Sequence, residues 1–149
     1  MTVQFTDTIT PLVQTLARVR ERLESDRVFA TVVTGSGHVI YADDTIQNGR
    51  SGTPVGTRGE TLPDLVLQMD FPLVVDNIFS NPATSRMNWS LPGGLGAYMG
   101  VPVHDHDGTL RGTVSVCTRR PRHWNSADVA YFAGAGPEIS KLLHAEAVW

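Results

Sequence analysis

The chain has 149 residues, with 12 Lys plus Arg against 15 Asp plus Glu, for a formal net charge of -3. At this length about 70% of the unfolded chain's surface can be buried, so one domain over 1–149 needs neither a metal nor a disulfide to fold. A single cysteine, Cys117, excludes an intramolecular disulfide scaffold, and the mild acidity argues against nucleic acid as a partner.

The first ten residues, MTVQFTDTIT, lack the basic start and apolar run of a secretory signal. No stretch approaches the ~18 uninterrupted apolar residues that span a bilayer. The expectation is a cytoplasmic protein with no membrane partner. The basic group Arg119, Arg120, Arg122 and His123, broken by Pro121, reads as a solvated loop.

In chain order, Thr10 is a candidate N-cap before Pro11, whose fixed φ and missing N–H suit a first helical turn. Leu12, Leu16, Val19 and Leu23 then recur on one face of a helix that should end near Ser25. VFATVVT and HVIYA, separated by Gly35, Ser36 and Gly37, read as a β-hairpin. The polar segment from Asp43 to about Gly59 reads as loop with room for one short strand. Thr61 to Gln68 follows as a short helix with Thr61 as cap and Leu62, Leu65 and Val66 inward. FPLVVDN reads as a strand.

From Ile78 to Gly94 the chain carries Asn81-Pro82, Pro92, Gly93 and Gly94, which leaves room for no more than a short helix near Ala83 to Trp89. GAYMGVPVH and TLRGTVSVCT read as strands joined through Asp107-Gly108. Alternation in the second puts Val114 and Val116 on one face and Thr113, Ser115 and Cys117 on the other. Asn125 and Asp128 then form a capping pair for a last helix, with Trp124 placed to pack on Val129. Its inner stripe is Val129, Phe132, Gly136, Ile139 and Leu143, and Pro137 is expected to kink or restart it. Strands joined by tight turns and flanked by terminal helices predict an α+β fold on an antiparallel sheet.

Several chemistries lack their residues. Gly35-Ser36-Gly37 is a turn without the nucleophile-elbow pattern, and Gly94, Gly96 and Gly100 miss the dinucleotide spacing. No Gly-Lys-Ser/Thr phosphate loop occurs. The run His104, Asp105, His106, Asp107 offers two histidines on one strand face, but it sits at a hairpin tip where polar residues belong, and no metal is assigned to it.

The stretches PLVVDNIFSNP and GLGAYMGVPVHDHDGTLRGTVSVCTRRPRHWNSADVAYFAGAG resemble the second half of a GAF domain. The likeness rests on Val75 and Asp76, Tyr98 to Val103, Gly108 to Val116, Pro121 to Trp124 and Asn125 to Asp128. It implies a GAF-like, PAS-related α+β fold. The antiparallel sheet would have about six strands, with the N- and C-terminal helices on one face and short helices or loops over a pocket on the other.

The resemblance further implies a non-catalytic sensory or regulatory domain that binds a small-molecule ligand and relays a signal through its terminal helices, as a homodimer. Asp76 and Asn77 would be convergent polar groups of such a pocket, Phe79, Met87, Trp89 and Tyr98 its walls, and Thr113, Ser115 and Cys117 its strand face. Each of these residues also suits ordinary packing or capping.

The cofactor stays unknown. Haem-binding relatives present a histidine that the stretch from Ser80 to Gly96 lacks, bilin attachment needs a cysteine elsewhere, and the cyclic-nucleotide motif is missing. The free methionine-(R)-sulfoxide reductases of this family use nucleophilic and resolving cysteines, whereas Cys117 stands alone in a strand. A ligand-free scaffold for dimerisation is the alternative, favoured if Leu and Val remain exposed on the terminal helices.

Overall fold

Alternation along the strands divides the apolar side chains between two layers, and the helices sort accordingly. A computed structural model of the chain describes residues 10–35, 37–43, 55, 61–82, 84–85 and 95–147. Among these the order is α1 (Pro11–Arg22), β1 (Arg27–Thr34), β2 (Gly37–Asp43), α2 (Leu62–Met69), β3 (Leu73–Val75), β4 (Ala97–His104), β5 (Leu110–Thr118) and α3 (Ser126–Ala147). The strands form one antiparallel sheet in the order β2-β1-β5-β4-β3. Five strands are described where about six were expected. Val55, the one described residue between Asp43 and Thr61, donates its amide to the His38 carbonyl.

On one face Val28, Ala30, Val32, Met99, Val103, Val114 and Val116 pack against Leu12, Leu16 and Val19 of α1 and Phe132, Ile139 and Leu143 of α3. The other face carries Phe29, Ile40, Tyr98 and Cys117, covered by Leu62 and Val66 of α2 and by Val55, Val75, Ile78 and Leu95. A bulge opposite Ala30 and Thr31 absorbs one extra residue of β2, so Tyr41 and Ala42 both join the first layer while Ile40 joins the second.

The caps follow the sequence. Thr10 Oγ1 accepts the Val13 amide at 3.4 Å, and Thr61 Oγ1 accepts the Asp64 amide at 3.3 Å. At α3 the box is reciprocal: Asp128 N–H donates to Asn125 Oδ1 at 2.8 Å and Asn125 N–H to Asp128 Oδ2 at 3.1 Å. Pro137 does not restart the helix, which runs unbroken from Ser126 to Ala147. Pro137 and Ala133, whose carbonyl loses the hydrogen bond, are both exposed, so water can take the missing donor's place.

The connection from β5 to α3 closes the end of the sheet. Trp124 Nε1 donates to the Val75 carbonyl at 3.1 Å, and the Arg122 amide donates to the Asp76 carbonyl at 2.9 Å. The Arg122 guanidinium bonds the Leu23 carbonyl, reaches Asp128 at 3.3 Å and lies over the Trp124 ring. One arginine thereby joins the end of α1 to the start of α3.

Candidate functional site

The face beneath α2 is where polar chemistry gathers. Strand alternation points Thr31 of β1, Thr113 and Ser115 of β5 and Tyr98 of β4 into it, all fully buried. His38 enters from the start of β2. Asp64 comes down from the first turn of α2, where Pro63 and the Thr61 cap set the direction of the helix.

Two hydrogen-bonded groups result. Tyr98 Oη and Ser115 Oγ lie 2.6 Å apart. The larger group runs from helix to sheet. Thr61 Oγ1 donates to Asp64 Oδ2 at 2.7 Å, Asp64 Oδ1 meets His38 Nδ1 at 2.9 Å, and His38 Nε2 meets Thr31 Oγ1 at 2.6 Å. Thr31 Oγ1 lies 2.6 Å from Thr113 Oγ1 and also accepts the Thr113 amide at 3.1 Å.

Electrostatics fixes the protons. Burial lowers the His38 pKa, against the opposing hydrogen bond and charge of Asp64, so the ring is neutral at neutral pH. With Asp64 ionised, the ring proton sits on Nδ1 and Nε2 accepts from the Thr31 hydroxyl. The Thr31 oxygen is then free to accept the Thr113 hydroxyl. Burial likewise pushes the Tyr98 phenol and the Cys117 thiol upward, so both stay protonated.

Asp64, His38 and Thr31 reproduce the carboxylate, imidazole and hydroxyl spacing of a nucleophile with its base. Thr31, however, is wholly buried in the middle of a strand, and its oxygen already takes the Thr113 amide. A substrate carbonyl has no approach to it. Cys117 is equally sealed, with its thiol held neutral by burial, which leaves no thiolate to attack.

Of the nine residues expected to line a pocket, Tyr98, Thr113, Ser115 and Cys117 share this face. Asp76 and Asn77 lie elsewhere, at the end of β3, beside a surface hollow of about 550 Å3 that Ser80, Asn81, Pro82 and Trp124 also border. The Asp76 carboxylate accepts His123 Nδ1 at 2.7 Å and the Trp124 amide at 3.1 Å, and the His123 bond holds its pKa below the ordinary value. Asn77 Oδ1 accepts the Phe79 amide at 3.0 Å, while the Phe79 ring is exposed. Met87 and Trp89 lie outside the described residues.

Sequence reasoning missed Thr31, His38 and Asp64. The Thr61-x-x-Asp64 spacing reads as an ordinary cap; the hairpin register sets Thr31 near His38, and the packing of α2 over the hairpin brings Asp64 to them.

The His104 to Asp107 run is a turn lock. Asp105 accepts the Thr109 amide and Arg111 Nε, His104 Nε2 lies 2.6 Å from Asp70 Oδ1, and the His106 ring stacks on His144. Among the described residues no group of three or more His, Cys, Asp or Glu is arranged to hold a metal.

With terminal helices on one sheet face and a short helix on the other, the architecture can be set beside known proteins. The family model for the GAF domain matches residues 7–141. The chain belongs to the GAF domain family. Solved GAF structures agree with the fold. The GAF domain of a phosphoenolpyruvate-protein phosphotransferase from Coxiella burnetii has a TM-score of 0.69 at 17% identity, covering 90% of this chain and 83% of that one. Its counterpart from Acinetobacter has a TM-score of 0.68 at 15% identity, covering 91% and 86%. A free methionine-R-sulfoxide reductase from Neisseria meningitidis, solved with its substrate, has a TM-score of 0.68 at 16% identity, covering 91% and 77%. At such identities the likeness shows the GAF fold and nothing finer. No curated protein matches the sequence. GAF domains are commonly sensory or regulatory. No described helix is long and apolar enough to cross a membrane.

Proposed function

We propose that this GAF domain is a non-catalytic sensory module that binds a small-molecule ligand at the sheet face under α2 and passes the signal to α1 and α3. The observation that carries this reading is the convergence of Tyr98, Thr113 and Ser115, joined by Thr31, His38 and Asp64, on a buried face. A face that only had to fill space would be cheaper to build from apolar side chains. The hydroxyls are fully buried and paired with one another and with His38, so a guest binds only as α2 shifts, exchanging those bonds for its own or resting on the apolar neighbours Phe29 and Ile40.

A thiol-based reductase reading is not favoured, because the buried Cys117 is the sole cysteine. We infer a cytoplasmic setting from the same lone, reduced thiol.

Isothermal calorimetry of the full chain against pools of cellular metabolites tests the ligand. A saturable heat that Ser115→Leu abolishes, in a variant still folded by circular dichroism, supports the reading. Heat that Ser115→Leu leaves untouched moves the ligand to another face.

Relay through a homodimer of the terminal helices is the further step we attach to it. The groove between α1 and α3, about 370 Å3 and bordered by Arg18, Ala130, Gly134 and Glu138, is where a second copy would sit. Among the described residues the large exposed apolar side chains are Val33, Met69, Phe71, Val74 and Phe79, none of them on α1 or α3. That distribution tells against an apolar dimer interface on these helices, whether or not a ligand is bound, so a second copy would have to be held by polar contacts such as those of Arg18 and Glu138. Sedimentation equilibrium decides the point.

A further inference from the structure

The short helix over the inner face is pinned at both ends by a histidine and an aspartate. At its first turn Asp64 meets His38, both largely buried, with 6% and 7% of their side chains exposed. At its C-terminal cap, where Asp70 adopts the left-handed conformation with φ 49°, the Asp70 carboxylate meets the half-exposed His104. We propose that α2 is a proton-sensitive lid, released at the His38 end when that ring takes up a proton and hinged at the Asp70 end. This goes beyond the sensory reading, because it needs no ligand.

The geometry carries the step. In the neutral state every proton of the chain has a receiver: Nδ1–H gives to Asp64, the Thr31 hydroxyl to Nε2, and the Thr113 hydroxyl to Thr31. A proton added at Nε2 turns that atom from acceptor to donor. The Thr31 hydroxyl must then rotate toward Thr113, whose own hydroxyl proton loses Thr31 as its acceptor. Two hydroxyls at 0% exposure have to turn, and one is left for water to satisfy. Lifting the first turn of α2 admits that water.

Among the described residues the added charge has few neighbours. Asp64 on α2 favours the imidazolium. On the same face β4 and β5 present Tyr98 and Cys117, both neutral, and Val55 brings no charge. Arg27 and Asp43, at the opposite end of the hairpin, are paired with each other. Burial outweighs the pull of Asp64.

Nuclear magnetic resonance of the wild-type full chain reads both halves of the proposal. Long-range nitrogen shifts give the His38 tautomer and titration, and amide exchange gives the protection of residues 65–70 beside that of β4 and β5. The expected result is an Nδ1–H tautomer at neutral pH and a loss of α2 protection of about tenfold or more as His38 protonates, with β4 and β5 holding theirs. Protection in α2 that is unchanged through the titration, or that falls only in step with the sheet, overturns the proposal. His104→Gln is the second arm. A response kept in that variant supports release at His38, and a response lost with it assigns the effect to the exposed pair and overturns the lid.

Discussion

The two faces of the one antiparallel sheet are held by different forces. Beneath α1 and α3 the contact is mainly apolar, from Leu12 and Leu16 to Ile139 and Leu143, and its stability comes chiefly from area removed from water. Beneath α2 the apolar side chains Phe29, Ile40, Leu62 and Val66 are interrupted by five hydroxyls, an imidazole and a carboxylate, counting those of Thr31, Thr61, Tyr98, Thr113, Ser115, His38 and Asp64. Area is indifferent to orientation, whereas a hydrogen-bonded chain has a direction. The first face therefore acts as a fixed clamp between the terminal helices, and the second as a surface whose state depends on where its protons sit.

Substitutions separate the two. Leu143→Ala opens a cavity in the fixed layer and should lower unfolding stability by about 2–5 kcal/mol in urea titration, whereas Leu143→Met should cost less than about 1.5 kcal/mol. Asp64→Asn leaves packing nearly unchanged but spoils the receivers of His38 and Thr61, and should cost about 1–3 kcal/mol by the same measurement. If Asp64→Asn is silent, the inner face is held by area after all and the contrast fails.

Acid sharpens the comparison. The folded-state pKa of His38 lies below its ordinary value of 6.5, so between those two values the unfolded chain binds the extra proton. The stability from the neutral ring is complete above 6.5 and is lost as pH falls toward the folded value. Denaturant midpoints measured from neutral to mildly acidic pH should therefore decline more in the wild type than in His38→Gln, and Leu143→Ala should show the wild-type slope. Equal slopes in wild type and His38→Gln would remove His38 as the source.

Much of the fixed layer was legible because it obeys simple periods. Leu12, Leu16 and Val19 repeat at helical spacing, Val114 and Val116 alternate, and Asn125 with Asp128 spells a capping box, each a local signal that the structure repeats. Pro137 was expected to kink or restart the last helix, and it does not restart it, because a local rule ignores which side of the helix meets water. The inner face was half legible. Alternation alone put Thr113, Ser115 and Cys117 together, and the GAF likeness added Tyr98. His38 and Asp64, 26 residues apart, meet only after α2 folds back over the hairpin, and no spacing encodes that. Asp76 is part of the GAF likeness, but its carboxylate is spent on the Trp124 amide and His123.

The finest discrimination lies in the Tyr98 and Ser115 pair. Each hydroxyl is fully buried, and the Ser115 oxygen has the phenol as its partner at 2.6 Å. Removing either hydroxyl breaks this buried bond, so Tyr98→Phe and Ser115→Ala should each cost about 1 kcal/mol or somewhat more. Both single variants lose the same bond, so the double variant should fall short of the sum of the singles by about 0.5 kcal/mol or more. Additive losses would mean that the two hydroxyls do not act as a pair, and that their polarity serves something other than each other. A coupling that vanishes when a ligand is present would show the same hydroxyls turning from each other to the guest, which is the behaviour expected of a floor whose bonds are made to be exchanged.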